Sequence, residues 1–337
     1  MIPNYQPNSL LLQVPSGALR ISHAAVQSDR SSHSNSLNKS EGVCCAIADH
    51  FNPIRFSLVI PTYNESKNIK EIVDLLSQQL DKAIPGAYEL IVVDDDSPDY
   101  TWAVALELMP QYPQLRVMRR VDERGLSTAV IRGWQAARGD ILGVIDADLQ
   151  HPPELLLKLW ADIEKGADLA IASRHVEGGG VSDWSLMRRF LSRGAQTLGL
   201  IILPEVISRV SDPMSGYFMV RRRCIAGRTM NPLGYKILIE VLARGRVRWI
   251  AEVGYVFQER LEGESKVTWK QYVDYLRHLV RLRFSLGAIA GIFKLGLLGL
   301  KRVFVDNALL YSKNVAPKWR LLIIYFVMTC GLLAILH

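Results

Sequence analysis

The stretch that decides the fold is Ile141-Leu142-Gly143-Val144-Ile145-Asp146-Ala147-Asp148-Leu149-Gln150. It begins as an apolar run, which is typical of a buried strand, and ends in two carboxylates and an amide. Alternate side chains of an extended chain share one face, so Asp146, Asp148 and, if the strand persists, Gln150 would point the same way. Burying like charges side by side is unfavourable without a cation between them, and such oxygen ligands suit Mg²⁺ or Mn²⁺. The alternative is a solvated turn with incidental Asp residues.

Composition and charge point to a membrane surface. Hydrophobic residues make up 49% of the 337 residues, charged residues make up 22%, and the net charge is +7. From Arg277 to the end of the chain there are nine Lys and Arg residues and one acidic residue, Asp306. A basic end could bind nucleic acid, but this region is also the most apolar one, which favours an anionic membrane.

The four cysteines and the start of the chain indicate a cytoplasmic location. Their spacing matches neither a metal site nor a disulfide framework. We see no secretory signal peptide at the start. Residues 1–54 are rich in Ser, Asn and His, so we expect a disordered extension, followed by a catalytic domain over residues 55–268.

Strand-like and helix-like segments alternate through the catalytic domain. This period predicts an α/β fold with a mostly parallel sheet flanked by helices. In such sheets ligands bind beyond the carboxyl ends of the strands. Three of these ends carry polar clusters: Pro61 to Glu65, Asp94 to Asp99, and Asp146 to Gln150. Their expected convergence strengthens the metal-site interpretation.

The C-terminal part of the sequence predicts membrane attachment. We expect amphipathic, interfacial helices over residues 269–302, a linker over 303–318 and a transmembrane helix over 319–337. Basic residues on both sides of the first apolar run favour an interfacial position, although two full spans remain an alternative. A pair of helices packed on the catalytic domain is the other alternative.

Five segments of the catalytic domain carry recognisable motifs: Pro61-Thr62-Tyr63-Asn64-Glu65, Val93-Asp94-Asp95-Asp96-Ser97-Pro98-Asp99, Asp146 to Glu154, Ser215-Gly216-Tyr217-Phe218, and Arg260 to Lys266. These motifs resemble those of the family 2 glycosyltransferases with a GT-A (Rossmann-like) fold, in particular the dolichol-phosphate mannosyltransferase (polyprenyl-phosphate hexose synthase) branch. The resemblance spans about residues 56–283. Gly245 stands where processive polysaccharide synthases of this family have Gln before Arg-Trp, which argues against processivity.

The resemblance implies a role for each candidate residue. The nucleotide-sugar donor would contact Pro61, Tyr63, Glu65, Asp94, Asp95, Asp146, Ala147, Asp148, Arg260 and Lys266. The metal ion, Mg²⁺ or Mn²⁺, would be held by Asp146, Asp148 and Gln150. Asp148, Arg174, Arg188 and Ser192 would be the catalytic residues, the last three around the lipid phosphate. Glu65 and Asp94 could instead cap helices or shape turns, and Arg188 could lie on a solvated helix face.

A phosphate acceptor changes the catalytic requirements. A phosphate monoester is already an anion at pH 7, so it needs positioning rather than deprotonation, and we assign no general base. In-line attack on C1 of the donor sugar would invert the anomeric centre. The expected activity is hexose transfer, with mannose favoured, from GDP-mannose or UDP-glucose to a polyprenyl phosphate at the cytoplasmic membrane face. Alternatives are glucosyl transfer, another lipid acceptor, or a non-catalytic nucleotide-sugar-binding membrane protein; we expect no nucleic-acid partner.

Overall fold

The computed structural model describes residues 10–23, 53–181, 194, 196–257 and 269–285. The chain up to Leu282 forms one compact unit, and residues 283–337 form a second. Only residues 283–285 of the second unit are among those described, so the architecture below is that of the first.

The first unit alternates strands with helices along most of its length. The strands are β1 (Phe56–Thr62), β2 (Tyr88–Asp94), β3 (Leu115–Arg119), β4 (Ile141–Val144), β5 (Leu169–Ser173), β6 (Gly180–Val181), β7 (Phe218–Arg221), β8 (Ile250–Gly254) and β9 (Val256–Phe257). The helices are α1 (Ile69–Ala83), α2 (Thr101–Leu108), α3 (Leu126–Ala136), α4 (Leu155–Glu164), α5 (Pro204–Ile207), α6 (Arg222–Ile225), α7 (Ile237–Arg244) and α8 (Trp269–Ser285), and residues 196–202 are also helical.

The main sheet has seven strands in the order β3-β2-β1-β4-β7-β5-β8. All neighbouring pairs are parallel except those made by β7, which runs antiparallel to both β4 and β5. The carboxyl ends of β2, β1 and β4 are adjacent in this order. The predicted mostly parallel α/β sheet is therefore confirmed, and so is the neighbouring position of the three polar clusters. A separate parallel pair joins β6 to β9.

Both faces of the sheet are buried, which explains the continuous apolar runs in its strands. Every residue of β1 and β2 is buried. Alternate residues of β1 face opposite cores: Val59 packs with residues of α3 and α7, whereas Leu58 and Ile60 pack with residues of α1 and α4. The helices dock through the apolar positions that repeat at helical spacing, for example Ile69, Ile72, Val73, Leu76 and Leu80 of α1.

Strand β4 ends at Val144, earlier than an extended chain through Gln150 would require. Leu149 has a φ of 57°, in the left-handed region that an L-residue with a side chain rarely adopts. The expected alternation of Asp146, Asp148 and Gln150 on one strand face is therefore wrong. A tight turn, rather than the strand pleat, places these three side chains.

Residues 10–23, which lie in the predicted disordered extension, form part of the compact unit. The Leu12 amide donates to the Val117 carbonyl on the edge strand β3 at 2.7 Å. Further along, the Gly227 and Met230 amides donate to the carbonyls of Ile21 and Leu19 at 2.9 and 2.8 Å. The Ile21 side chain is completely buried in the core. Composition does not reveal this packing because most of the anchoring bonds are made by the backbone.

Replacing Ile21 with Ala is expected to lower the free energy of unfolding by about 2 kcal/mol, since a buried side chain would leave a cavity. Chemical denaturation of the full chain measures this value. Val14, which is 36% exposed in the same segment, provides the matched control, and Val14→Ala should change stability much less. Equal effects of the two substitutions would mean that residue 21 is not part of the core.

Most of helix α8 lies in the compact unit, which extends to Leu282. Tyr275, Leu279 and Leu282 are buried, and the His278 ring nitrogen Nε2 lies 2.8 Å from Oε2 of Glu240 on α7. One face of the predicted amphipathic helix is thus used for packing. No helix among the described residues is long and apolar enough to cross a membrane. The predicted segments over 286–302, 303–318 and 319–337 lie outside the described residues.

Candidate active site

The loops that follow β1 and β2 are bonded to each other at the carboxyl edge of the sheet. Asp94 is fully buried, and its carboxylate accepts hydrogen bonds from Thr62 Oγ1 (2.8 Å), Ser97 N (2.8 Å) and Ser97 Oγ (2.6 Å). Burial raises the pKa of Asp94, although these bonds oppose the rise. Asp94 therefore bonds to residues of the two loops and stabilises the backbone around the predicted base site.

Tyr63 and Glu65 lie on the solvent side of these loops. The Tyr63 ring is 39% exposed, and the Arg124 guanidinium lies 5.7 Å from its centre. Glu65 accepts a 2.8 Å hydrogen bond from Asn68 Nδ2, and its amide donates to Thr101 Oγ1 at 3.0 Å. An accessible aromatic ring beside an acceptor suits a nucleobase. Pro61, at the end of β1, is buried.

Asp95, at the same edge of the sheet, is bonded to Arg120 and to the Gly125 amide. Its carboxylate pairs with the buried Arg120, whose Nε lies 2.8 Å from Oδ1, and it accepts a 2.6 Å bond from the Gly125 amide. Burial raises the pKa of the Asp95 carboxyl against the opposing effect of Arg120. These contacts show that Asp95 stabilises the loop that follows β2.

The turn after β4 carries two carboxylates separated by one residue. Asp146 and Asp148 are both partly exposed, whereas Ala147 and Gln150 are buried. The Gln150 amide donates to Asp148 Oδ1 at 3.3 Å. Gly216, just before β7, lies against Asp146: a Cβ atom at this glycine would be 2.6 Å from Asp146 Oδ2. The glycine of the Ser215-Gly216 motif therefore makes room for a candidate metal ligand.

Buried polar atoms without a hydrogen-bond partner gather around this turn. They include Asp146 Oδ1, His151 Nδ1 and the hydroxyls of Tyr217 and Tyr255. The His151 ring centre lies 5.4 Å from that of Tyr217, 5.3 Å from Tyr255 and 5.4 Å from Phe257. Because native proteins rarely leave buried polar atoms unpaired, such a group is what a ligand site shows without its ligand.

Arg174 and Asp212 form a buried, bidentate ion pair at the end of β5. Arg174 Nε lies 2.7 Å from Asp212 Oδ2, and Nη2 lies 2.8 Å from Oδ1. Burial raises the pKa of Asp212, but the bonds and charge of Arg174 outweigh this effect and hold the pKa below its ordinary value. Two of the five guanidinium donors are engaged by one carboxylate, which fixes the plane of the group.

Lys236, which the sequence analysis did not select, adds a second cation to the site. Its Nζ donates to the Met214 carbonyl at 2.8 Å. Burial and the nearby Arg174 lower the pKa of Lys236 to about 8, while Asp146 and Asp212 partly oppose this shift. Because Met214 lies between Asp212 and Gly216, the bond to its carbonyl makes Lys236 a candidate active-site residue. Its sequence neighbourhood carries no motif that would have identified it.

The candidate metal ligands suit Mg²⁺, an ion that binds to protein carboxylates and substrate phosphates at the same time. Among the described residues, no group of three or more His, Cys, Asp or Glu side chains could hold a metal. Mg²⁺, however, commonly binds one or two carboxylates together with substrate phosphates and water. The carboxylates of Asp146 and Asp148 meet this requirement, and the unpaired Asp146 Oδ1 provides an available oxygen.

The remaining predicted residues cannot be placed. Arg188, Ser192, Arg260 and Lys266 lie outside the described residues. The last described element before Arg260 is β9, and its Phe257 ring centre lies 5.6 Å from the Arg174 guanidinium. Phe257, which precedes the predicted donor-binding segment, therefore lies beside the candidate site.

Comparisons with known proteins identify the family of this chain. The family model for glycosyl transferase family 2 matches residues 57–224. A dolichol-phosphate mannosyltransferase of Pyrococcus furiosus is 45% identical over 259 residues, which are 77% of this chain and 72% of the relative. That of Saccharomyces cerevisiae is 36% identical over 246 residues, which are 70% of this chain and 90% of the relative.

Solved structures show the same architecture at lower identity. Glucosyl-3-phosphoglycerate synthase from Mycobacterium tuberculosis, in complex with Mn²⁺, UDP and its product, is 23% identical with a TM-score of 0.51, covering 69% of this chain and 79% of that one. Mannosyl-3-phosphoglycerate synthase from Rubrobacter xylanophilus is 24% identical with a TM-score of 0.50, covering 68% and 73%. This likeness concerns the fold.

The chain therefore belongs to glycosyl transferase family 2. It is a glycosyltransferase with an α/β sheet of the GT-A type.

Proposed function

We propose that this glycosyltransferase moves a hexose, with mannose favoured, from a nucleotide sugar to a polyprenyl phosphate such as dolichyl phosphate. The observation that carries the proposal is the meeting of Asp146 and Asp148 with Arg174 at one edge of the sheet. Carboxylates suited to a divalent ion lie there beside a cation suited to a phosphate. The dolichol-phosphate mannosyltransferases among its relatives support this acceptor and this sugar.

Asp146 and Asp148, with Gln150, would hold Mg²⁺ or Mn²⁺ next to the donor diphosphate. When bound, such an ion offsets the negative charge that develops on the departing nucleoside diphosphate. The Mn²⁺ and UDP in the mycobacterial synthase support a divalent ion and a nucleotide in this fold. Tyr63 would stack on the base, with Pro61 and Glu65 beside it, while Asp94 and Asp95 keep the loop in shape.

The acceptor phosphate would lie against Arg174, with Arg188 and Ser192 as further contacts. An oxygen of this phosphate bonds to C1 of the sugar as the bond from C1 to the donor diphosphate breaks, and the leaving group keeps the electron pair. The nucleophile is already anionic, so the residues contribute by orientation and charge. Asp212 fixes the Arg174 guanidinium, and Lys236 adds positive charge. Arg260 and Lys266 would contact the donor diphosphate.

We also propose that the C-terminal region attaches the enzyme to the membrane, with the catalytic domain on the cytoplasmic side. The support is the sequence: apolar runs with basic flanks within residues 286–337. The lipid acceptor would require this location. Carbonate extraction of membranes and protease protection of intact vesicles would test the attachment and the side.

An assay with two donors and two acceptors tests the reaction. Membranes containing the enzyme are incubated with Mg²⁺ or Mn²⁺, radiolabelled GDP-mannose or UDP-glucose, and dolichyl phosphate or diacylglycerol. We expect labelled lipid only with GDP-mannose and dolichyl phosphate, and no product from Asp148→Asn. Label from UDP-glucose would favour the glucosyltransferase alternative, and label on diacylglycerol another lipid acceptor. Donor binding without any product would contradict the proposal and favour a binding protein.

A further inference from the structure

A basic cavity lies at the opposite edge of the sheet from the candidate active site. Its volume is about 240 Å³, and its lining includes Arg20, His23, Arg223, Arg228 and Arg246. The sheet register fixes its position. Arg221, at the end of β7, pairs with Ile141 at the start of β4, and Arg223 follows in α6. The active-site turn follows the other end of β4.

The cavity exists because the N-terminal segment packs beside α6. The Gly227 amide bonds to the Ile21 carbonyl, and an isolated bridge joins Arg20 to Thr229. Gly227 has a φ of 73°, and a Cβ atom there would lie 2.6 Å from Cε1 of the His23 ring. Because Gly227 has no side chain, the His23 ring can lie in the cavity. Two basic residues of the N-terminal segment therefore line the same cavity as three basic residues of the catalytic domain.

The charge in this cavity is poorly balanced. Within the part of the chain that the structure describes, Asp168 is the one carboxylate bonded to these groups, at 3.1 Å from Arg223 Nη2. The described contacts give the side chains of Arg20, Arg228 and Arg246 no hydrogen bond or ion pair. The side chains of Arg20, His23, Arg223 and Arg246 are exposed, so solvent screens their repulsion and leaves them accessible to an anion.

We propose that this cavity binds a phosphate group, either on a small soluble molecule or on a lipid head group. Guanidinium groups donate two parallel hydrogen bonds to phosphate oxygens, and several from different directions suit a compact dianion. The site is separate from the candidate active site and does not depend on the proposed reaction.

Calorimetric titration of the full-length protein with inorganic pyrophosphate, in the presence of EDTA, tests this site. The variant is Arg228→Gln/Arg246→Gln, and the control is Lys82→Gln/Lys158→Gln, which removes two exposed charges from α1 and α4. We expect about tenfold weaker binding or more for the variant, because charge-assisted hydrogen bonds are lost. The control should match the wild type.

Vesicle flotation separates the two sources of phosphate. Vesicles of phosphatidylcholine alone are compared with equimolar phosphatidylcholine and phosphatidic acid. If the variant also loses the binding that depends on phosphatidic acid, the ligand is a lipid head group; if only pyrophosphate binding falls, it is a soluble phosphate. Unchanged binding by the variant in both assays, or equal weakening by the control, would overturn the proposal. Transferase activity should remain unchanged in both variants, which separates this test from that of the reaction.

Discussion

Replacing Asp146 with Asn is expected to lower kcat/KM by at least about 10²-fold, the scale of losing a main electrostatic stabiliser of a transition state. The amide keeps the shape of the side chain but removes the charge that would hold the divalent ion. Activity should also require a higher concentration of Mg²⁺ or Mn²⁺. Rates measured over a metal titration, with the GDP-mannose and dolichyl-phosphate assay, check both effects.

Two further variants make this result specific to the site. Asp162→Asn, on α4, removes a carboxylate that among the described residues pairs only with the exposed Lys165, and it should leave activity unchanged. Gly216→Ala leaves every charge in place but puts a methyl group against Asp146 Oδ2, and should therefore also reduce activity. Gly180→Ala is its control, because a Cβ atom there meets nothing closer than 3.9 Å. Full activity of Asp146→Asn at the usual metal concentration would contradict the metal assignment.

Replacing Arg174 with Lys is expected to lower kcat/KM for the lipid acceptor by about 10²-fold, because lysine keeps the charge but loses the planar pair of donors. The KM of the nucleotide sugar should change little. Asp212→Asn should act on the same step by removing the negative charge that pairs with Arg174. It should also reduce the free energy of unfolding by about 3 kcal/mol, as loss of one member of a buried pair does.

A surface pair provides the comparison. Arg55 and Glu164 are joined at 2.5 Å, but their side chains are 51% and 48% exposed. Arg55→Lys should change stability by less than about 1 kcal/mol and should not change the kinetics. If Arg174→Lys also left the kinetics unchanged, Arg174 would not be a phosphate ligand.

The sequence predicted the strands and the meeting of the three polar clusters because both depend on local patterns. Buried parallel strands read as continuous apolar runs, and their polar ends follow directly along the chain. The direction of β7 carries no such signal, since a strand covered on both faces has the same composition in either direction. Its antiparallel course is nevertheless what brings Gly216 to Asp146.

Other parts of the site depended on contacts between distant residues. Asp212 precedes a proline and resembles a turn residue, and only the fold brings it to Arg174. Leu149 gave no sign of its left-handed backbone, which usually favours Gly or Asn. The N-terminal segment is held largely by backbone bonds, and these do not depend on side-chain composition. In each case the missing information was three-dimensional.

The central position of β7 also determines when the sheet can be completed during synthesis. Strands β4 and β5 are made early, but neither pairs with the other; each pairs with β7, which ends at Arg221. Until that residue has left the ribosome, both strands present unpaired edges, which favour association with other chains. The catalytic edge around Asp146 is consequently assembled late, and a chain truncated before Phe218 would be prone to aggregation.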